Sequence, residues 1–119
     1  LFAKIEFFFK FVKKSMSVLM EFAMFPTSKS GSSSSPYVSR IIEMIRESGF
    51  SYTLTPMGTI VETDTIDQAL EIVKKSYEQL EPDCDRVYSS IKFDIRKGRN
   101  NGMEQKIASI ESKIGKVNT

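Results

Sequence analysis

The chain has 119 residues, 27% of them charged and 40% apolar, which suits one folded domain and excludes a two-core protein or a disordered chain. It has no histidine and a single cysteine, Cys84, so it lacks an internal disulfide, a cysteine cluster for zinc and the commonest general base. Four lysines and Glu6 give residues 1–15 a net +3, so the total of +2 leaves residues 16–119 at −1, and a near-neutral domain offers no electrostatic footprint for nucleic acid or an anionic membrane.

Residues 1–15, LFAKIEFFFKFVKKS, are apolar but broken by Lys4, Glu6 and Lys10, so they form neither a membrane span nor an ordinary signal peptide. Two readings stand: an amphipathic basic anchor, or an artificial or upstream-translated extension ahead of a natural start at Met16. The domain is expected over 16–119, in a reduced, cytoplasmic setting that the single cysteine fits.

SVLMEFAMF, residues 17–25, has two largely apolar alternating faces, interrupted by Glu21, and predicts a central strand covered on both sides. PTSKSGSSSS follows as a mobile loop. Ser35 as N-cap and Pro36 in the first turn predict a helix with the stripe Val38, Ile41, Ile42, Ile45, ended by Gly49. SYTLTPMGTIVETD predicts a hairpin around Pro-Met-Gly. Thr65 and Gln68 make a capping box for a second helix, with the stripe Ile66, Ala69, Leu70, Val73, Tyr77, Leu80. RVYSSIKFDIR alternates as a long strand: Val87, Ser89, Ile91, Phe93 and Ile95 face inward, and Arg86, Tyr88, Ser90, Lys92, Asp94 and Arg96 outward. After the KGRNNG turn, Asn101 with Glu104 is expected to cap a last helix with the stripe Met103, Ile107, Ile110, Ile114. The order β-α-β-β-α-β-α is that of an α+β, ferredoxin-like βαββαβ sandwich with an additional C-terminal helix, sheet order 4-1-3-2.

In that architecture one sheet face meets the helices and the other is open. Burying Glu62 unpaired against the helices would be costly, so Glu62, Ile60 and Gly58 are placed outward and Thr59 and Val61 inward. By the same alternation Glu21 faces outward with Leu19, Ala23 and Phe25, and Tyr88, Ser90 and Lys92 join them from the neighbouring strand. Such a face is too apolar to be left wet and too polar for a plain core. It serves either self-association with surface pairs such as Glu21–Lys92, or a ligand site lined by hydroxyls, carboxylates and an aromatic, closed by a second subunit.

Catalysis finds little support. The two carboxylates have no histidine, metal cluster or activated nucleophile beside them, Ser90 has no visible base, and the acids around Cys84 would blunt its thiol. The Met57-Gly58 turn is no phosphate loop. An RNA-recognition domain would need aromatics on the central strands, and GTIVET has none.

The segments MSVLMEFAMFPT, SPYVSRIIEMI, YTLTPMGTIVE and DRVYSSIKFDIRKG, in this order across about residues 16–115, resemble the thiamine-binding protein family. The resemblance implies a ferredoxin-like subunit, a homodimer or homotetramer, that binds thiamine or its hydroxymethylpyrimidine half at subunit interfaces, without catalysis or a required cofactor. The family pattern does not reach residues 1–15. The open-face argument, rather than the resemblance, supplies the candidate ligand-binding residues: Glu21, Thr55, Thr59, Glu62, Tyr88 and Ser90, with Lys92 as partner for whichever carboxylate lacks ligand. Thr59 qualifies only if the strand bulges at Gly58. Hydroxyls and carboxylates suit an aminopyrimidine edge, a carboxylate suits a thiazolium, and Tyr88 or Phe25 could stack on either ring. The alternative is a structural or regulatory homo-oligomer whose open face serves assembly only.

Overall fold

The computed structural model describes residues 16–27 and 33–119. The expected N-terminal extension and the centre of the Ser/Gly loop lie outside the described residues. The elements are β1 (Met16–Pro26), α1 (Ser35–Ser48), β2 (Ser51–Thr55), β3 (Gly58–Thr63), α2 (Ile66–Leu80), β4 (Val87–Lys97) and α3 (Gly102–Ile114). The sheet is antiparallel in the order β2-β3-β1-β4, so the α+β, ferredoxin-like architecture with its extra C-terminal helix is the one the pattern predicts.

The alternation in β1 divides the molecule. Val18, Met20, Phe22 and Met24 face the helices and pack with Val61 of β3, Ile41 and Ile45 of α1, and Ala69, Ile72 and Leu80 of α2. On the other face Glu21 stands opposite Ile60 of β3 and Lys92 of β4, Ala23 opposite Ser90, and Phe25 opposite Tyr88. The strand alternation therefore fixes which side chains share the open face.

Helix ends follow local chemistry. Ser34, one residue earlier than expected, is the N-cap of α1, without a side-chain cap bond, and Gly49 at φ 83° closes the helix in the left-handed region. The α2 capping box forms as predicted: the Gln68 amide donates to Thr65 Oγ1 at 3.2 Å and the Thr65 amide to Gln68 Oε1 at 3.1 Å.

Two expected core assignments shift. Leu70 and Tyr77 of α2 are 50% and 44% exposed, while Ile72 and Ser76 are buried. The helix packs on α1, β1 and β3, which rotates its buried line away from Leu70 and Tyr77. Ser76 is tolerated there because its hydroxyl donates to the Ile72 carbonyl at 2.7 Å. On β4, Ile91, Phe93 and Ile95 point to the helix side yet stay 37%, 41% and 46% exposed, because the helix layer sits over the other strands.

Met20 is fully buried at the centre of β1. Met20→Ala should cost about 2–5 kcal/mol of stability, read from the urea unfolding midpoint.

Candidate functional site

The turn after β4 sends the chain back across the open face. Gly98 at φ 78° and Asn101 at φ 53° both take the left-handed conformation, which glycine and asparagine adopt at low cost. Asn101 makes no side-chain cap bond, so the expected Asn101 cap is replaced by a more distant group. Glu62 of β3 accepts from the Gly102 amide at 2.6 Å, the Met103 amide at 3.3 Å and the Ser17 hydroxyl at 2.6 Å. A carboxylate at this helix end satisfies free amides and complements the helix dipole.

A second anchor lies beside it. The nearly buried Arg99 guanidinium donates to the Ser17 carbonyl at 3.3 Å, the Asp94 carbonyl at 3.1 Å and Asp94 Oδ2 at 3.3 Å. Lys106 of α3 also donates to Asp94 Oδ2. These cations, Lys106 first and then Arg99, hold the Asp94 carboxyl below the ordinary aspartate range. Gly102 admits this approach, since a Cβ there would stand 2.7 Å from Arg99 Nε and 3.0 Å from Ser17 Oγ.

Docked in this way, α3 lies over the open face with a groove on either side. On the β4 side Leu19 and Ile60 form an apolar floor, Met103 and Ile107 come from α3, and Glu21, Thr53 and Lys92 supply polar groups around a space of about 500 Å³. On the β2 side, Thr53, Thr55, Glu62 and Glu104 border a wider groove of about 780 Å³. A third, mainly apolar cavity of about 340 Å³ lies at the end of the sheet among Phe25, Val38, Leu54 and Met57.

The sequence-predicted residues divide among these places. Glu21 and Lys92 meet on the β4-side groove at 3.6 Å, with side chains 48% and 77% exposed. Tyr88 packs against Phe25 with ring centroids 5.8 Å apart, and exposed Ser90 lies between Tyr88 and Lys92 along β4. Thr55 Oγ1 donates to the Gly58 carbonyl and accepts from the Met57 and Gly58 amides, so it closes the hairpin turn while bordering the β2-side groove. Thr59 is 5% exposed and faces the helix layer, in unbroken register with Phe22 and Leu54. Glu62 is on the open face but occupied by α3.

Sequence reasoning missed Ser17, Arg99 and the return of α3 over the sheet. Ser17 shares the alternation of Leu19 and Glu21, which was a usable signal; nothing in KGRNNG marks Arg99 as the residue that turns inward. Among the described residues no group of His, Cys, Asp or Glu could hold a metal ion, and no helix is long and apolar enough to cross a membrane.

A family model described as thiamine-binding protein matches residues 20–111. A UPF0045 protein of Methanothermobacter thermautotrophicus is 31% identical over 98 residues, covering 82% of this chain and 99% of that protein. The crystal structure of a hypothetical protein from Methanocaldococcus jannaschii superposes with a TM-score of 0.70 at 33% identity, over 79% of this chain and 95% of that one. A Thermotoga maritima protein assigned provisionally to thiamine biosynthesis or salvage superposes with a TM-score of 0.66 at 23% identity, over 79% of this chain and 98% of that one, and shows the shared fold.

Removing the anchor should release the helix. Glu62→Ala leaves the Gly102 and Met103 amides without their acceptor, so it should cost about 1–3 kcal/mol and speed hydrogen exchange at both amides. Glu21→Ala should change stability by no more than about 0.5 kcal/mol. Because the folded Asp94 pKa is depressed, its contribution is complete above the ordinary aspartate value of about 3.9 and is lost as the pH falls through the lower folded value. Protection of the α3 amides, measured relative to their slower intrinsic exchange in acid, should therefore fall as the pH drops through that value, and Asp94→Asn should weaken that dependence.

Proposed function

Because this chain belongs to the thiamine-binding protein family, we propose that it binds thiamine or a related hydroxymethylpyrimidine, without catalysis, in the groove on the β4 side of α3. The observation that carries this reading is Glu21. It is a carboxylate on an apolar floor, beside a space of about 500 Å³, within the ordinary range of small-ligand sites. Its pairing with Lys92 is an exposed ion pair at 3.6 Å, worth about 0–1 kcal/mol, so a cationic or amino-bearing ligand displaces it at little cost. Glu62 cannot serve so easily, since taking it from α3 strands two backbone amides.

Leu19, Ile60, Met103 and Ile107 suit the flat faces of the ligand, and Thr53 suits its polar edge. Tyr88, Ser90 and Phe25 extend the same sheet face beyond the groove, where a longer ligand reaches them. The absence of histidine and the burial of Cys84 support binding rather than turnover, and the reduced thiol suits a cytoplasmic setting.

The binding groove is open to solvent along α3. Exposure on that helix rises from Ile107 at 38% to Ile110 at 52% and Ile114 at 73%. An apolar stripe left so bare supports closure of the groove by another subunit. The same stripe also favours the second reading, in which the face serves assembly alone.

Calorimetric titration with thiamine and with hydroxymethylpyrimidine separates the two readings. Glu21→Gln should weaken binding about ten- to hundredfold, the loss of one charge-assisted bond of about 1.5–3 kcal/mol. Thr53→Val should cost less. Wild-type protein that binds neither compound at millimolar concentration leaves the assembly reading in place; Glu21→Gln binding like the wild type moves the site off this groove.

A further inference from the structure

The groove on the β4 side of α3 is unevenly charged. Among the described residues its walls carry Glu21 and Asp94, Lys92 and Lys106. Arg99 backs Asp94, donating to its Oδ2 at 3.3 Å. Three cations therefore accompany two carboxylates, a surplus of one positive charge. Arg96, opposite Ser17 on the same sheet face, continues the basic row beyond the groove. Two further acids of this face lie across the helix instead, where Glu62 and Glu104 border the β2-side groove.

A bare cation binds against that surplus. When it takes Glu21, the groove holds one more positive charge, and Lys92 loses the carboxylate it met at 3.6 Å. Asp94 is no replacement, since Lys106 and Arg99 already hold it. Lys92 stays hydrated at 77% exposure, so the loss is small, yet a free ammonium now stands beside the ligand. A ligand that brings its own anion resolves this. A phosphate monoester carries about −1.5 to −2 charges at pH 7, so joined to one positive ring it cancels the surplus to within about half a charge. Its oxygens also accept charge-assisted bonds from an ammonium. Glu21 and Lys92 stand directly opposite each other on β1 and β4. Paired strands lie about 4.8 Å apart, so a short arm on a ring held by Glu21 reaches Lys92.

We propose that this groove takes the phosphate ester of its cationic ligand in preference to the free alcohol, with Glu21 on the positive ring, Lys92 on the phosphate and Lys106 adding to the positive field. The inference rests on the groove reading above and adds the chemical class of the ligand: one molecule that carries both a ring cation and a phosphate.

Calorimetric titration with thiamine and with thiamine monophosphate tests it. In low salt the monophosphate should bind about three- to tenfold more tightly, the scale of one or two exposed charge pairs. The gap should close near 1 M salt, where the screening length falls to about 3 Å. Lys92→Met keeps most of the stem and removes the charge. It should weaken the monophosphate and tighten thiamine, because Glu21 loses its competitor. Lys75→Met makes the same charge change on the exposed surface of α2, on the helix side of the sheet, and should leave the preference intact. A monophosphate no tighter than thiamine, in protein that binds thiamine, overturns this inference and leaves the groove reading standing. A preference that Lys92→Met does not reduce overturns the role of Lys92. Binding of neither compound at millimolar concentration overturns both.

Discussion

The Glu62 carboxylate decides what the open face of this sheet is. It stands in β3 where alternation points it away from the core, and there it accepts from the first two amides of α3 and from Ser17. The helix end contributes amides that no turn of helix can satisfy, and the sheet contributes a charge that would be costly to cover without donors. Each solves the other's problem. With the helix start pinned, α3 crosses the open face, Leu19 is covered, and a groove is left on each flank.

The two outward glutamates thereby acquire different roles. Glu21 and Glu62 have the same side-chain chemistry and lie on the same face of adjacent strands. One holds the architecture through three donors, and the other, among the described residues, pairs with an exposed lysine at 3.6 Å. Displacing the lysine costs about 0–1 kcal/mol, whereas an unmade bond at each stranded amide costs about 1–3 kcal/mol. By that difference Glu21 is the carboxylate that leaves its partner at the lower cost. Arg99 and Asp94 reinforce the division, because they tie the turn before α3 to β1 and β4 at the same end of the sheet.

Much of this was readable from residue order alone. Period-two alternation in β1, β3 and β4 put Glu21, Glu62 and Lys92 on one face, and Thr65 with Gln68 marked the start of α2. Alternation is a local property, and these positions depend on local geometry. The use of Glu62 was not readable, because the two helix partners that define it lie 40 and 41 residues away and are backbone amides, which carry no residue signature. The exposure of Ile91, Phe93 and Ile95 was hidden for a related reason. Their pattern shows which face they occupy; only the lateral placement of α2 shows that nothing covers them. Leu70 and Tyr77 fit an apolar stripe, and the packing of α2 against α1 selected Ile72 and Ser76 instead.

The most direct test is a backbone amide NMR titration with thiamine. The account predicts saturable shifts at Leu19, Glu21, Ile60, Lys92 and Ile107, with the Gly102 and Met103 amides still protected by Glu62. Shifts confined to the cavity around Phe25, Val38 and Met57, or loss of protection at Gly102 and Met103 as ligand binds, would contradict it.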